Sequence, residues 1–200
     1  MPNIRKCSLA VLNYYKSLGI ESHIQNKPRV RFEDYFYTKN QKKLLLEDKL
    51  KELKNSYGIG IDKSFRTLNI AKKNSKKLNL LRRTKFIHCD VDNFNFGNYD
   101  VVVSNPPYIC SHRINYLSED IKGFEPRMAL DGGSSGLETI SKVIIKAKEL
   151  LKTRGYLYIE IGNGQFHMVS SMLIKSGFRL VEKFFDYKKT IRCIMSTKII

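Results

Sequence analysis

The sequence predicts an α/β fold built on an open, mostly parallel sheet, which an antiparallel hairpin closes at the C-terminus. From residue 57 onward, short apolar runs alternate with longer amphipathic ones, the pattern of successive β-α units. Three of the apolar runs end in polar side chains, at Asp62, Asp90 and Ser104. Only residues 186–190 separate the last two apolar runs, and a connection this short favours a hairpin.

The first part of this pattern is a strand, a helix and two further strands. Tyr57–Asp62 is predicted to be a strand, and Ser64 then serves as the N-cap of an amphipathic helix that ends near Leu78. Lys85–Asp90 and Tyr99–Ser104 are predicted to be the next strands. Because ligands bind outside the carboxyl ends of the strands in open α/β sheets, the polar strand ends mark the expected site.

The second part continues the alternation to the C-terminus. The predicted elements are a helix over Gly136–Leu151, a strand over Tyr156–Ile161, a helix over Gln165–Lys175 that stops before Gly177, and strands over Phe178–Phe185 and Ile191–Thr197. The last two strands form the closing hairpin.

The N-terminal quarter lacks this alternation. Ser8–Leu18 is interpreted as a helix, whereas residues 27–37 are densely charged and aromatic without a clear period. We therefore expect an atypical, partly helical N-terminal segment over residues 1–50 and one α/β domain over residues 51–200.

The composition suits a medium-sized domain in a reducing compartment. The chain has 200 residues, of which 42% are hydrophobic, and no apolar run approaches the roughly 20 residues that span a bilayer. The N-terminus is a poor secretory signal, so we expect a cytoplasmic protein without membrane contact. The four cysteines form no Cys-x-x-Cys pair, which argues against a zinc site or a disulfide framework and favours reduced, mostly buried thiols.

The chain is strongly basic. Its formal charge is +17, and nine Lys and Arg residues without an acid lie between Lys63 and Lys85. Such a field attracts polyanions, so proximity to nucleic acid or the ribosome is one interpretation. A solvated lysine-rich surface is the other, and the sequence leaves both open.

The residues Ser104-Asn105-Pro106-Pro107-Tyr108 suit the binding of a planar NH₂ group. The Asn105 side-chain oxygen can accept one N–H and the Pro106 carbonyl the other. The two prolines stiffen the loop, and Tyr108 offers a flat face for stacking on an amide or a base. Two acceptors aim the nitrogen lone pair at an incoming methyl group, so the loop indicates methyl transfer. A rigid turn that only closes the strand is the alternative.

From Tyr57 to the C-terminus the chain resembles the protein-(glutamine-N5) methyltransferases of the HemK type, which modify peptide-chain release factors. The resemblance rests on Asn-Pro-Pro-Tyr, on Phe124-Glu-Pro-Arg-Met-Ala-Leu-Asp-Gly-Gly133 with Gly136-Leu137, and on Tyr158-Ile-Glu-Ile-Gly162 before Gln165. The tetrapeptide alone is shared with adenine-N6 DNA and RNA methyltransferases. The resemblance implies a Rossmann-like class I methyltransferase fold, S-adenosylmethionine as methyl donor and a release-factor glutamine as substrate.

The resemblance also implies the roles of single residues in the cofactor site. Asp62 would bind the ribose hydroxyls of S-adenosylmethionine, Asp90 would lie near the adenine amino group, and Val91 would pack on the adenine ring. Either acid can instead cap the loop that follows it, and this alternative stays open.

The substrate side is implied in the same way. Asn105, Pro106, Pro107 and Tyr108 would form the catalytic loop, with Asn105 also next to the cofactor. Glu125 and Arg127 would frame the substrate pocket, although they can equally pair with each other.

Two parts of the family pattern are incomplete: the glycine-rich cofactor loop, and the N-terminal helical substrate domain, for which residues 1–50 are too short. Class I methyltransferases need a glycine-rich loop after the first strand, ahead of Asp62, so that backbone can approach the methionine part of the cofactor. This chain has no glycine between Gly19 and Gly58, and residues 37–46 read Tyr-Thr-Lys-Asn-Gln-Lys-Lys-Leu-Leu-Leu. Lost material around the first strand, a pseudoenzyme and an unusual cofactor loop are the three explanations, of which we favour the first.

Three functions follow from these observations. A glutamine-N5 protein methyltransferase leads, an adenine-N6 nucleic-acid methyltransferase is favoured by the positive charge, and a catalytically silent binding module is favoured by the missing loop.

Overall fold

The computed structural model describes residues 9–14, 56–124 and 126–199. Its strands are β1 (Leu9–Tyr14), β2 (Ser56–Asp62), β3 (Thr84–His88), β4 (Tyr99–Ser104), β5 (Leu151–Glu160), β6 (Phe178–Phe185) and β7 (Ile191–Lys198). Its α-helices are α1 (Phe65–Lys77), α2 (Glu119–Phe124), α3 (Arg127–Leu130), α4 (Glu138–Leu150) and α5 (Phe166–Lys175). Short 3₁₀ turns cover Leu81–Arg83, Val91–Asn93 and Ser111–Tyr116.

The strands form a seven-stranded sheet in the order β3-β2-β1-β4-β5-β7-β6. The pairs β2-β3 and β4-β5 are parallel, and β5-β7 and β7-β6 are antiparallel. Strands β2 to β6 therefore run in one direction, and β1 and β7 run in the other. The predicted α/β fold, with a mostly parallel sheet and a C-terminal antiparallel hairpin, is confirmed.

Strand β1 lies between β2 and β4 and runs antiparallel to both. It pairs antiparallel with β2 on one side, where Leu9 pairs with Ile61, and with β4 on the other, where Leu9 pairs with Ser104. The predicted helix over Ser8–Leu18 is therefore wrong for Leu9–Tyr14. The backbone N–H and C=O groups of β2 and β4 that face β1 need hydrogen-bond partners, and β1 supplies them to both strands. The free energy of this pairing outweighs a weak local preference for helix.

The core lies between the sheet and helices α4 and α5. Val102, Leu157 and Ile159 on the central strands are 0% exposed, as are Ile140 on α4 and Leu173 on α5. Burying each such side chain stabilises the fold by about 1.5–3 kcal/mol. Helix α4 thus packs against β4 and β5, and β4 leads directly into the loop at residues 105–108.

Helix α1 agrees with the prediction from its pattern. The Ser64 side chain accepts a hydrogen bond from the Thr67 N–H at 3.2 Å, as expected of an N-cap. Leu68 and Ala71 are each 5% exposed and pack inward. The lysines lie on the outer faces of the helix.

Strand β5 begins earlier than predicted. It follows α4 directly at Leu151, which pairs with Tyr99, whereas Tyr156 pairs with Val101. The extra residues between these pairs form a bulge, in which Arg154 takes φ 65°. A bulge has no period of its own, so the sequence pattern showed only the regular part of the strand.

The cysteines that the structure describes differ in their burial. Cys193 is buried, but Cys89 and Cys110 are only half-buried, so the expectation of mostly buried thiols is wrong for these two. Cys7 lies outside the described residues.

Within residues 9–14, 56–124 and 126–199, no helix is long and apolar enough to cross a membrane.

Candidate active site

The polar strand ends predicted from the sequence meet at one edge of the sheet. Asp62 lies opposite His88 in the β2-β3 pair, so Asp90 follows at the same edge. Leu9 pairs with both Ile61 and Ser104, which places Asp62 and Asn105 on either side of the start of β1. The structure therefore brings together Asp62, Asp90 and the loop 105–108, as the strand pattern predicted.

The loop after β4 starts from a buried anchor. Ser104 is 1% exposed, Pro106 is buried, and Asn105, Pro107 and Tyr108 are half-buried. The Tyr108 ring packs against the main core, and its hydroxyl donates a long hydrogen bond of 3.4 Å to Glu160 Oε1. The loop is thus fixed at both ends, while Asn105, Pro107 and Tyr108 stay partly accessible.

Three glycines lie tightly against this loop, and two of them, Gly132 and Gly136, approach its backbone more closely than any other residue type allows. A Cβ at Gly132 would lie 2.8 Å from the Pro107 carbonyl oxygen, and one at Gly136 would lie 2.6 Å from the Tyr108 carbonyl oxygen. A Cβ at Gly162 would lie 3.0 Å from Tyr108 Cδ2. Gly132 and Gly136 must be glycine for this close approach to backbone, and Gly136 also for its φ of 77°.

Gln165 links the surrounding segments. Its side-chain oxygen accepts a hydrogen bond from the Gly162 N–H at 2.8 Å. Its Nε2 donates to the carbonyl oxygens of Tyr108 at 3.0 Å and Gly136 at 3.1 Å. The side chain is 7% exposed, so these bonds are shielded from water.

The segment from α3 to α4 runs beside the loop and is held by two carboxylates. Ile109 N–H donates to the Leu130 carbonyl, and Asp131 accepts from the Ser111 hydroxyl at 2.6 Å and from the Gly133 N–H at 3.0 Å. The Ser111 and Gly133 donors hold the pKa of Asp131 below its ordinary value.

Glu138, at the start of α4, is the second carboxylate that holds this segment. It accepts from the hydroxyls of Ser134 and Ser135 and from the N–H groups of Ser135 and Leu137. The Ser134 hydroxyl, followed by the backbone N–H donors, lowers the pKa of Glu138 to about 2. The bend that carries Gly136 is therefore tied to the helix that follows it.

The predicted substrate residues Glu125 and Arg127 have different outcomes. Arg127 Nε donates to Asp131 Oδ2 at 3.4 Å, and the Arg127 side chain is 67% exposed. Glu125 lies outside the described residues, so its place in the pocket stays a prediction.

The two acids predicted for the cofactor both have local partners. Asp62 is 7% exposed, and its Oδ1 accepts from the Ser64 N–H at 2.7 Å. Asp90 forms an ion pair with Lys63. Burial raises the pKa of Asp90, but the hydrogen bond and charge of Lys63 and the N–H groups of Asp92 and Val91 lower it by more, so this pKa lies below its ordinary value. Asp62 therefore caps the loop that follows it, which is the alternative to a role in cofactor binding. Capping is compatible with a ligand beyond the carboxyl end of β2.

These residues fit the adenosine half of S-adenosylmethionine better than its methionine half. Asp62 and Asp90 are carboxylates on neighbouring strand ends, which suits a ribose and an adenine amino group. Val91 beside them is 8% exposed and packs in the main core. Strand β1, however, begins at this edge with Leu9 and ends at the opposite edge with Tyr14. The carboxyl end of this strand therefore lies at the edge of the sheet away from Asp62.

The sequence assigned no role to several residues that shape this site. Glu160 is 5% exposed beneath Tyr108, and Gln165 contacts the loop directly. Both lie in or beside the segment Tyr158–Gly162 that carried the family resemblance. The family resemblance was thus the signal that the sequence offered for these residues. Their contacts with residues far away in the chain become visible only in the folded structure.

A family model described as Eco57I restriction-modification methylase matches residues 3–194 of the chain. The chain belongs to this family. The match includes every strand of the sheet except the last residues of β7. Methylase family membership therefore extends over both the reversed strand β1 and the loop 105–108.

Curated relatives confirm the resemblance to release factor glutamine methyltransferases. The enzyme of Bradyrhizobium diazoefficiens is 36% identical over 124 residues, which are 62% of this methylase and 42% of the relative. That of Thermodesulfovibrio yellowstonii is 36% identical over 125 residues, 62% of this chain and 44% of the relative. The chain thus spans less than half the length of these two relatives.

Solved structures confirm the fold. A methyltransferase from Pyrococcus furiosus superimposes with a TM-score of 0.53 at 17% identity, covering 71% of this methylase and 62% of the other chain. The Rossmann-like methyltransferase fold predicted from the sequence is therefore present.

Proposed function

We propose that this chain carries the acceptor site of an S-adenosylmethionine-dependent methyltransferase that modifies a glutamine side-chain amide in a peptide-chain release factor. The observation that supports this most strongly is the packing of the loop 105–108 against Gly132 and Gly136. These glycines belong to the segment by which the chain resembles glutamine-N5 methyltransferases, and the relatives of that name support the same substrate.

The proposed reaction needs orientation and no nucleophilic side chain. Asn105 Oδ1 and the Pro106 carbonyl accept the two N–H groups of the glutamine amide, and Tyr108 stacks on its plane. When bound, S-adenosylmethionine would supply an electrophilic methyl group, and the electron pair of its carbon–sulfur bond would stay on sulfur. The amide nitrogen held by Asn105 and Pro106 would take this methyl group and release one proton to water. Holding donor and acceptor in line supplies the rate gain.

Asp62, Asp90 and Val91 are proposed to hold the adenosine part of the methyl donor, which supplies an electrophilic methyl group when bound. The reversed direction of β1 is the feature that weighs against activity of this chain by itself, because the carboxyl end of this strand lies at the edge of the sheet away from Asp62. A catalytically silent module that keeps the acceptor site is therefore the competing function.

An adenine-N6 nucleic-acid methyltransferase is the second candidate. The description of the matching family names restriction-modification methylases, and Asn-Pro-Pro-Tyr suits an adenine amino group as well as an amide. The outer face of α1 adds an exposed basic surface formed by Lys72, Lys73, Lys76 and Lys77. No ion pair within the described parts of the chain involves these four lysines.

Two measurements on the purified chain separate these functions. Calorimetric titration with S-adenosylmethionine is expected to give micromolar binding, and no binding up to millimolar donor would leave only the silent module. Transfer of a tritiated methyl group is then measured to a release factor and to an adenine-containing oligonucleotide. Label in the release factor supports the first function, whereas label in the oligonucleotide alone supports the second.

A further inference from the structure

We propose that Gln165 is a positioning residue that sets the shape of the loop 105–108 and thereby the aim of the acceptor carbonyl of Pro106. This inference rests on the proposed function for its catalytic consequence. Its structural half, that Gln165 fixes the loop, stands on the hydrogen bonds alone.

The bonding pattern of Gln165 matches the capacity of an amide side chain. The Gly162 N–H can only donate, and the carbonyl oxygens of Tyr108 and Gly136 can only accept. The side chain must therefore present its oxygen to Gly162 and its NH₂ group to the two carbonyls, which leaves one orientation of the amide. An isosteric carboxylate can accept but cannot donate.

The three partners come from separate parts of the chain. Gly162 follows β5, Tyr108 follows β4, and Gly136 precedes α4. Gln165 precedes the first turn of α5, where Gln165 N–H donates to the Gly162 carbonyl and the Gln165 carbonyl accepts from Val169 N–H. Because its backbone is held by the helix and its side chain is buried, a shift of the loop would break bonds that water cannot replace.

The carbonyl that Gln165 holds is two residues after Pro106. Pro107 stands between them with a restricted backbone, so rotation at Tyr108 is transmitted to the Pro106 carbonyl. In the proposed reaction this carbonyl aims the amide nitrogen at the methyl carbon. Loss of the Gln165 donors is therefore expected to lower kcat, while the affinity for the methyl donor at Asp62 and Asp90 stays unchanged.

The test compares Gln165→Glu with the wild-type chain and with Ser171→Ala, an exposed position on α5. We expect kcat of Gln165→Glu to fall about tenfold to a hundredfold, since small displacements of reacting groups have effects of this size. Protonation of the introduced carboxylate restores one O–H donor, so the deficit should shrink as the pH is lowered. If Gln165→Glu is as active as Ser171→Ala at every pH, the positioning role is refuted and the proposed function stands.

Amide hydrogen exchange gives a readout that does not need activity. In Gln165→Glu, exchange at the Ile109 N–H, next to the released Tyr108 carbonyl, should accelerate at least tenfold relative to Ser171→Ala, whereas the Gly162 N–H keeps a carboxylate acceptor. If the wild-type chain transfers no methyl group, the proposed function fails, and unchanged exchange would separately refute the structural half of this inference. Should Gln165→Glu not fold, Gln165→Met provides a neutral side chain of similar length for the same comparison.

Discussion

Gly136 lies directly against the backbone of Tyr108: a Cβ added to Gly136 would meet the Tyr108 carbonyl oxygen at 2.6 Å. The same glycine accepts a hydrogen bond from Gln165 Nε2 through its carbonyl. The bend before α4 and the candidate catalytic loop are therefore in contact through bare backbone on both sides. The shape of the loop thus depends on a residue far from it in the sequence.

Gly136→Ala should destabilise the chain by about 3 kcal/mol or more, because it adds a steric clash to the cost of a positive φ. The matched control is Gly164→Ala. Gly164 has a φ of 80°, close to the 77° of Gly136, but nothing lies within 4 Å of its added Cβ. Only the conformational cost of about 1–2 kcal/mol applies there. Urea unfolding of both variants measures the difference, and equal losses would show that the contact with Tyr108 is unimportant.

The stability of the chain should depend on Glu138 at low pH. The pKa of this carboxyl falls from its ordinary value of 4.5 to about 2 in the folded chain. A carboxyl with a lowered pKa stabilises the fold above the unfolded pKa, so this contribution is lost as the pH falls from about 4.5 toward 2. Thermal unfolding across this range should show a shallower pH dependence in Glu138→Gln than in the wild-type chain.

Ser134→Ala provides a graded version of the same test. The Ser134 hydroxyl, which donates to Glu138 at 2.6 Å, is the largest cause of the lowered pKa. Without it the folded pKa of Glu138 should rise toward its ordinary value, so the loss of stability should be smaller and should be complete at a higher pH. An unchanged profile in both variants would contradict the proposed role of Glu138 in holding the bend before α4.

The basic face of α1 should bind nucleic acid if it is more than a solvated surface. Reversing four of its charges is expected to lower the affinity for a DNA or RNA oligonucleotide at least tenfold and to reduce the salt dependence of binding, because fewer counterions are released. Fluorescence anisotropy over a range of salt concentrations measures both. The changed residues are Lys72, Lys73, Lys76 and Lys77, all replaced by Glu.

The control reverses four exposed lysines outside α1, so that the net charge changes by the same amount. These are Lys148, Lys175, Lys188 and Lys189, each replaced by Glu. Equal weakening in both variants would mean that only the overall charge of +17 matters, which would remove the support that α1 gives to the nucleic-acid function.

The sequence predicted the regular part of the fold well because each β-α unit repeats the same local physics. The Ser64 cap, the buried face of α1 and the closing hairpin need only the spacing of apolar residues and turn signals. The same spacing placed Asp62, Asp90 and Asn105 at the ends of strands that are mutually parallel. Their convergence at one edge then follows from the geometry of such sheets.

The sequence could not predict what depends on contacts between distant segments. Leu9–Tyr14 becomes a strand because β2 and β4 both offer it backbone partners, and nothing within those six residues records this. Gln165 and Glu160 likewise acquire their roles from Tyr108, more than fifty residues earlier in the chain. The reversed direction of β1, which matters most for cofactor binding, likewise depends on contacts between distant segments.

Methyl transfer by the wild-type chain and by Asn105→Ala tests the central proposal most directly. With tritiated S-adenosylmethionine and a release factor, the wild-type chain should label a glutamine side chain. Asn105→Ala should lower kcat about a hundredfold or more, since one fixed polar contact to the reacting group is lost, while leaving the donor Kd nearly unchanged. Label confined to an adenine oligonucleotide, or equal labelling of the release factor by both chains, would contradict it.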